Sequence, residues 1–149
     1  MVHSDDAPIQ ASRILVPVNG NATDDDMIAL ACQIARQSHG EVRAIYVIEV
    51  KRALPLDADL PAEALRGEQV LDRAELVAEA WSQEIESELL QAREVGIAIV
   101  DEAISREADL ILLGINYEKR FGEFSLGKTV PYVLKNAPCR VWICRQAIS

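Results

Sequence analysis

Residues 109–115, DLILLGI, form the segment that decides the fold class. One acidic residue opens the segment and an almost unbroken apolar run follows, which is typical of a strand buried on both faces. Similar apolar segments occur at residues 13–18 (RILVPV), 42–50 (VRAIYVIEV) and 140–145 (RVWICR). Strands that are covered on both faces occur in parallel sheets with helices packed against them. The segment therefore predicts an α/β protein.

Apolar residues at helical spacing lie between these strands and predict crossover helices. The first helix is expected to be capped by Thr23, with Asp26 as its partner in a capping box, and to end at Gly40. The second helix opens at Pro61. The fourth spans residues 127–136 and is stopped by the proline that follows.

A weakly alternating segment, residues 85–93, predicts a third strand at an exposed edge of the sheet. Gly96 is expected to break the chain after it, and residues 97–107 to form the third helix with Ile104 facing inward. Residues 116–126 are expected to form a loop. The order β-α-β-α-β-α-β-α-β predicts one doubly wound domain, a parallel sheet with four helices on both faces.

The composition sets limits on the class of protein. The chain has 149 residues, half of them hydrophobic, which suits a single domain, expected over residues 12–149. Residues 1–11 are expected to be a disordered lead-in rather than a secretory signal. The apolar runs are too short for a membrane helix, which needs about 20 residues. A net charge of −9 argues against nucleic acid as a partner.

The three cysteines, Cys32, Cys139 and Cys144, form no C-x-x-C pair. An odd number without such a pair, and with both histidines remote in sequence, predicts neither a disulfide framework nor a metal site. We expect reduced thiols in a cytoplasmic protein.

Two turns at the carboxyl ends of the strands precede helices, and ligands bind there in open α/β sheets. The first helix opens with Thr23 and three aspartates, whose carboxylates would repel a phosphate. The fourth opens with Gly127, Lys128 and Thr129, which together favour an anion. The alternative is that Gly127 and Thr129 only begin the helix.

Residues 122–129, GEFSLGKT, also match the P-loop pattern G-x-x-x-x-G-K-S/T. A true P-loop leaves its strand directly, whereas the predicted fourth strand ends well before Gly122. No later strand ends in an aspartate suited to holding magnesium. The context therefore argues against a P-loop.

Both ends of the chain resemble universal stress protein domains. The resemblance rests on Ile14-Leu15-Val16-Pro17-Val18 with its polar turn, and on residues 126–145 with Ala137-Pro138-Cys139 before the last strand. It covers about residues 12–146. It implies the strand order 3-2-1-4-5 and a homodimer formed through the last strand.

The family's nucleotide-binding members carry G-x-x-G, nine residues, then G-S/T after the fourth strand. Gly114, Tyr117 and Gly127 occupy those three positions with unchanged spacing. Tyr117 replaces the second glycine, and Lys128 replaces the hydroxyl residue, with Thr129 next to it. Asn19 stands where the family usually has an aspartate.

The resemblance implies a site for an adenine nucleotide, ATP or AMP. The adenine is expected near Pro17, Asn19 and Val47. The phosphates are expected at the start of the fourth helix, against Gly127, Lys128 and Thr129, with Gly114 and Tyr117 in the preceding motif.

Three functions stay open at this point. The first is a regulatory domain that binds AMP or ATP and signals through dimer or partner contacts. The second is a family member that acts through protein contacts alone. Its partner could be a membrane transporter, because some transporters carry related domains. The third, a slow ATPase, lacks a nucleophile–base pair and an evident metal carboxylate set, so the chain is not expected to be an enzyme.

Overall fold

The fold follows from a computed structural model that describes residues 11–116, 119–120, 123–124 and 127–146, the backbone alone at 119–120 and 123–124. Its helices and strands, in chain order, are β1 (Arg13–Pro17), α1 (Asp24–Ser38), β2 (Glu41–Glu49), α2 (Pro61–Ala80), β3 (Glu86–Ala92), α3 (Val95–Ser105), β4 (Leu110–Ile115), β5 (Lys119–Arg120), β6 (Glu123–Phe124), α4 (Thr129–Asn136) and β7 (Arg140–Arg145). The expected alternation of strands and helices is confirmed.

Five strands form one sheet in the order β3-β2-β1-β4-β7, and every neighbouring pair is parallel. The register places Leu15 of β1 opposite both Arg43 of β2 and Ile111 of β4. Because β7 is the fifth long strand along the chain, this is the expected order 3-2-1-4-5. The segment expected to be a loop, residues 116–126, also contains β5 and β6, which pair antiparallel outside the main sheet.

The sheet separates two hydrophobic cores. Successive side chains of a strand point to opposite faces, so Ile14 and Val16 of β1 pack with α1 and α2, while Leu15 packs with α3 and α4. All three side chains are at most 2% exposed. Burying a side chain of this size contributes about 1.5–3 kcal/mol to the free energy of unfolding. The side chains of β1 therefore stabilise the packing of helices on both faces of the sheet.

The start of α1 differs from the expected capping box. Thr23 is the N-cap residue, but its side chain makes no cap hydrogen bond. Its hydroxyl instead donates to Oδ1 of Asn21, which also accepts the Thr23 backbone N–H. The hydroxyl that a capping box would use is thus hydrogen-bonded to Asn21 in the turn before the helix.

The end of α1 also differs in detail from the prediction. The helix ends at Ser38, and His39 rather than Gly40 takes the left-handed conformation, with φ of 53°. Gly40 is required for a different reason, because a Cβ there would lie 2.6 Å from the carbonyl oxygen of Ala11. Ala11 is buried, whereas the rest of the expected lead-in lies outside the described residues.

Two expectations about α3 are wrong. Gly96 does not break the chain but lies buried in the first turn of the helix. A Cβ there would meet the ring of Tyr132 at 3.1 Å, so the glycine lets α4 approach α3. Ile104, expected to face inward, is 58% exposed.

Among the residues described, no helix is both long and apolar enough to cross a membrane.

Candidate functional site

A cleft of about 420 Å³ opens at the carboxyl ends of β1, β2 and β4, where α4 begins. This volume lies within the range of small-molecule sites, roughly 300–1,000 Å³. The chain leaves β1 towards β2 on one side and reaches β4 on the other, so the cleft lies where the strand order reverses. Ligands of open α/β sheets bind at such a point.

Most of the sequence-predicted residues meet at this cleft. Its lining includes six of the eight, namely Pro17, Asn19, Val47, Gly114, Gly127 and Thr129. Lys128 lines a smaller neighbouring groove, which shares Val95 and Thr129 with the cleft. Tyr117 lies outside the described residues. The structure therefore brings together the two ends of the predicted site.

The cleft has apolar walls. Ile45 of β2, Ile99 of α3 and Leu113 of β4 line it and are between 0% and 5% exposed. Val95 and Val130, from α3 and α4, add to the same lining. Walls of this kind suit a flat, uncharged ring system with few polar groups.

The loop after β1 is closed by a carboxylate of its own chain. Oδ2 of Asp24 accepts the backbone N–H of Asn19 at 3.2 Å and that of Gly20 at 2.7 Å. Burial raises the pKa of Asp24, against these two backbone donors, which lower it. Asp25 forms an ion pair with Arg73 at 2.8 Å. The three aspartates lie in the first turn of α1, as expected.

Asn19 has a role in the shape of this loop. Its Oδ1 accepts the backbone N–H of Asn21 at 3.0 Å, so the side chain closes a local turn. Both residues line the cleft. The side-chain oxygen of Asn19 therefore helps to hold the loop at the cleft edge.

The start of α4 has the opposite electrostatic character. Its first turn contains no acidic residue, whereas α1 has Asp24, Asp25 and Asp26 there. Gly127 precedes it with φ of +66°, and a Cβ at this glycine would meet nothing within 4 Å. The positive φ, not lack of space, is what favours glycine here. The partial positive charge of the helix end thus faces the cleft without an acidic neighbour in its own first turn.

Gly114 is constrained by packing. A Cβ there would lie 2.5 Å from Oγ1 of Thr23 and 2.8 Å from Cγ of Met27. The glycine therefore lets the first turn of α1 approach the end of β4. Of the two motif glycines that the structure describes, one serves a close approach and the other a backbone conformation.

Asn116 is a cleft residue that the sequence analysis missed. It follows β4 directly and lines the cleft. Its side-chain oxygen is shielded from solvent and has no hydrogen-bond partner within the described part of the chain. Its position, the first polar residue after a buried strand, was the signal that could have found it.

The described residues contain no group of three His, Cys, Asp or Glu side chains that could hold a metal ion. The cysteines Cys32, Cys139 and Cys144 are free thiols. Burial raises the pKa of each, which keeps them protonated and poor nucleophiles.

Comparison with known proteins identifies the class. The universal stress protein family model matches residues 11–145. The chain is 30% identical over 140 residues to universal stress protein MJ0531 of Methanocaldococcus jannaschii, covering 90% of this chain and 82% of that protein. The chain therefore belongs to the universal stress protein family.

Solved structures share the fold at lower identity. The universal stress protein of Archaeoglobus fulgidus in complex with dAMP matches with a TM-score of 0.72 and 21% identity, covering 89% of this chain and 96% of that one. A family protein of Arabidopsis thaliana with AMP bound matches with a TM-score of 0.65 and 14% identity, over 91% and 92% of the two chains.

Proposed function

We propose that this chain is a cytoplasmic regulatory domain that binds an adenine nucleotide, AMP or ATP, in the cleft at the strand ends. One observation carries the proposal. A single cleft joins apolar walls from strands β2 and β4 and helix α3 to the start of α4, whose first turn has no acidic residue. Relatives of the same fold with dAMP and with AMP bound support the choice of ligand.

The adenine would lie at the ends of β1 and β2. Pro17 and Val47 line this part of the cleft with the buried Ile45, and a purine ring gains free energy by leaving water there. Asn19 stands at the edge, where its loop is fixed by Asp24. The base would therefore enter a pocket whose wall is already ordered.

The phosphates would lie at the start of α4, against Gly127, Lys128 and Thr129. The helix end supplies partial positive charge, and Thr129 supplies a hydroxyl at the cleft. Lys128 is the N-cap residue of α4, and its groove adjoins the cleft. A longer phosphate chain would reach this lysine more fully than the single phosphate of AMP.

Lys128→Ala tests this placement. A hydrogen bond to a charged group contributes about 1.5–3 kcal/mol, so the variant should bind ATP about tenfold more weakly or worse, and AMP with a smaller loss. Calorimetric titration of both nucleotides measures the two losses. Lys135→Ala is the matched control, because it removes the same charge from the last turn of α4.

Each outcome has a separate meaning. Tight ATP binding that is unaffected by Lys128→Ala would contradict the phosphate placement and leave nucleotide binding intact. A wild type that binds neither nucleotide would overturn the binding proposal. The protein would then act through contacts alone, as a homodimer or with a partner such as a membrane transporter.

A regulatory rather than catalytic role fits those residues around the cleft that the structure describes. Catalysis by proton transfer needs a suitable acid or base within hydrogen-bond reach of the ligand. His39 lies at the end of α1 and does not line the cleft. Asp24 is engaged with the backbone of its own loop. A bound nucleotide would therefore act as a signal that changes the contacts of the protein.

A further inference from the structure

Asn116 presents an unsatisfied acceptor beside the cleft. Its Oδ1 is the one buried side-chain oxygen or nitrogen, among the residues that the structure describes, without a hydrogen-bond partner. Buried polar atoms of proteins are nearly always hydrogen-bonded. An exception in a residue that lines a cleft is a candidate to accept a hydrogen bond from a ligand.

The side chain can meet such a donor at small cost. Asn116 as a residue is only partly buried, and the terminal torsion of an asparagine is soft. To meet a ligand, the amide oxygen would have to move from its shielded position to the cleft surface by a turn about that torsion. The oxygen is unpaired among the described residues, which is unfavourable for a buried acceptor. A hydrogen bond to a ligand would therefore break none of the hydrogen bonds described within the protein.

The position of Asn116 selects the part of the ligand, on the basis of the function proposed above. β4 lies next to β1, where the base is placed, and the chain after β4 leads to α4, where the phosphates are placed. The residue that follows β4 is thus beside the link between them, which is the ribose. Ionised phosphates have no hydrogen to donate, whereas the ribose carries hydroxyl donors.

We propose that Asn116 accepts a hydrogen bond from a ribose hydroxyl and makes the cleft prefer ribonucleotides to deoxyribonucleotides. An amide oxygen suits this position because it accepts a hydrogen bond without placing a second negative charge close to the phosphates. Asn116 is then a specificity-determining residue, whose contribution depends on which sugar is present.

Titration calorimetry with AMP, 2′-deoxy-AMP and 3′-deoxy-AMP tests the proposal in wild type and in Asn116→Leu, which has nearly the same shape. Wild type should bind one of the two deoxy compounds roughly five- to tenfold more weakly than AMP, the effect of one neutral hydrogen bond. Asn116→Leu should bind AMP more weakly by the same factor and bind all three compounds alike.

Thermal unfolding without ligand separates this role from a structural one. Asn116→Leu removes an unpaired acceptor and replaces it with apolar surface, so it should unfold at the same or a higher temperature than wild type. A structural asparagine would lose stability instead. Asn136→Leu is the matched control, since its amide donates to the carbonyl oxygen of Tyr132 on α4. It should keep the preference for AMP.

Equal binding of AMP and both deoxy compounds by wild type would overturn the inference and leave nucleotide binding intact. A preference for AMP that persists in Asn116→Leu would assign the sugar contact to another residue and also overturn it. A wild type that binds no nucleotide would overturn the proposed function and this inference together.

Discussion

At the scale of single residues, the carboxylate of Asp24 holds the backbone of the loop at the cleft edge. Asp24 is partly buried, and it accepts hydrogen bonds from the backbone of Asn19 and Gly20. Burial favours its neutral form and the backbone donors favour its ionised form, and the burial effect is larger, so its pKa is raised. The loop that forms one wall of the proposed base pocket is therefore held by a carboxyl group, Asp24, that binds its proton more tightly than an ordinary aspartate.

This shift predicts a pH dependence of stability. The folded state binds the proton of Asp24 more tightly than the unfolded state, so Asp24 contributes stability at low pH that is lost as pH rises through its raised pKa. Relative to Asp24→Asn, which keeps an acceptor oxygen, wild type should lose stability above the ordinary aspartate pKa of about 3.9 and then reach a plateau. Urea unfolding of both proteins across this range measures the difference.

A constant difference in unfolding free energy between the two proteins across that range would contradict the shifted pKa. If the unfolding free energy of wild type instead rose relative to that of Asp24→Asn with increasing pH, the pKa of Asp24 would be lowered in the folded state, not raised. Asp26→Asn is a useful control, because Asp26 lies in the same helical turn and, among the hydrogen bonds of the described residues, shares none of those made by Asp24.

At the scale of elements, four strands of the main sheet were predicted from short apolar runs, which are typical of burial on both faces. The edge strand β3 was predicted from weak alternation, and the short strands β5 and β6 were not predicted. The helix details were predicted less well. Gly96 signals a break by itself, yet it lies in α3 because Tyr132 of another helix fills the space above it. No local pattern reports such a contact, since it depends on how two helices meet.

The same limit applies to the site. Gly114 and Gly127 were found through motif spacing, because residues at strand and helix ends reach one edge whatever their neighbours are. Asn116 was missed because the shielding of its oxygen depends on the packing around the strand end. Spacing along the chain thus locates the cleft, and tertiary packing decides what each atom in it can do.

Gly114→Ala tests the contact between β4 and α1. The added methyl group would lie 2.5 Å from Oγ1 of Thr23, so the helix start must shift, at a cost of about 1–3 kcal/mol. In a Thr23→Ala background this oxygen is absent, and the same substitution should cost less. Denaturant unfolding of the four proteins measures the coupling. An equal cost in both backgrounds would contradict contact with Oγ1 of Thr23 as a source of that cost.

At the scale of the whole molecule, the sheet has two different edges. β3 lies at one edge and β7 at the other, and among the described strands β7 pairs with β4 alone. Val141, Trp142 and Ile143 of β7 are half-buried. An apolar edge of this kind invites pairing with another chain. We therefore propose that β7 joins two copies of the protein into a homodimer.

A charge placed on each edge distinguishes this dimer from other arrangements. Val141→Lys adds a cation to the β7 edge, where it should oppose strand pairing. Val141 packs against the core on the α3 and α4 side of the sheet but is only half-buried, so a lysine there can extend its charge to water. Ser87→Lys adds the same charge to the β3 edge and is the matched control. Light scattering at micromolar concentration should give a dimer for wild type and Ser87→Lys and a monomer for Val141→Lys. Circular dichroism should be the same for all three proteins.

A monomeric wild type would overturn the dimer itself. Dissociation by Ser87→Lys alone would move the interface to β3, and the nucleotide cleft would then have to signal through the opposite edge of the sheet.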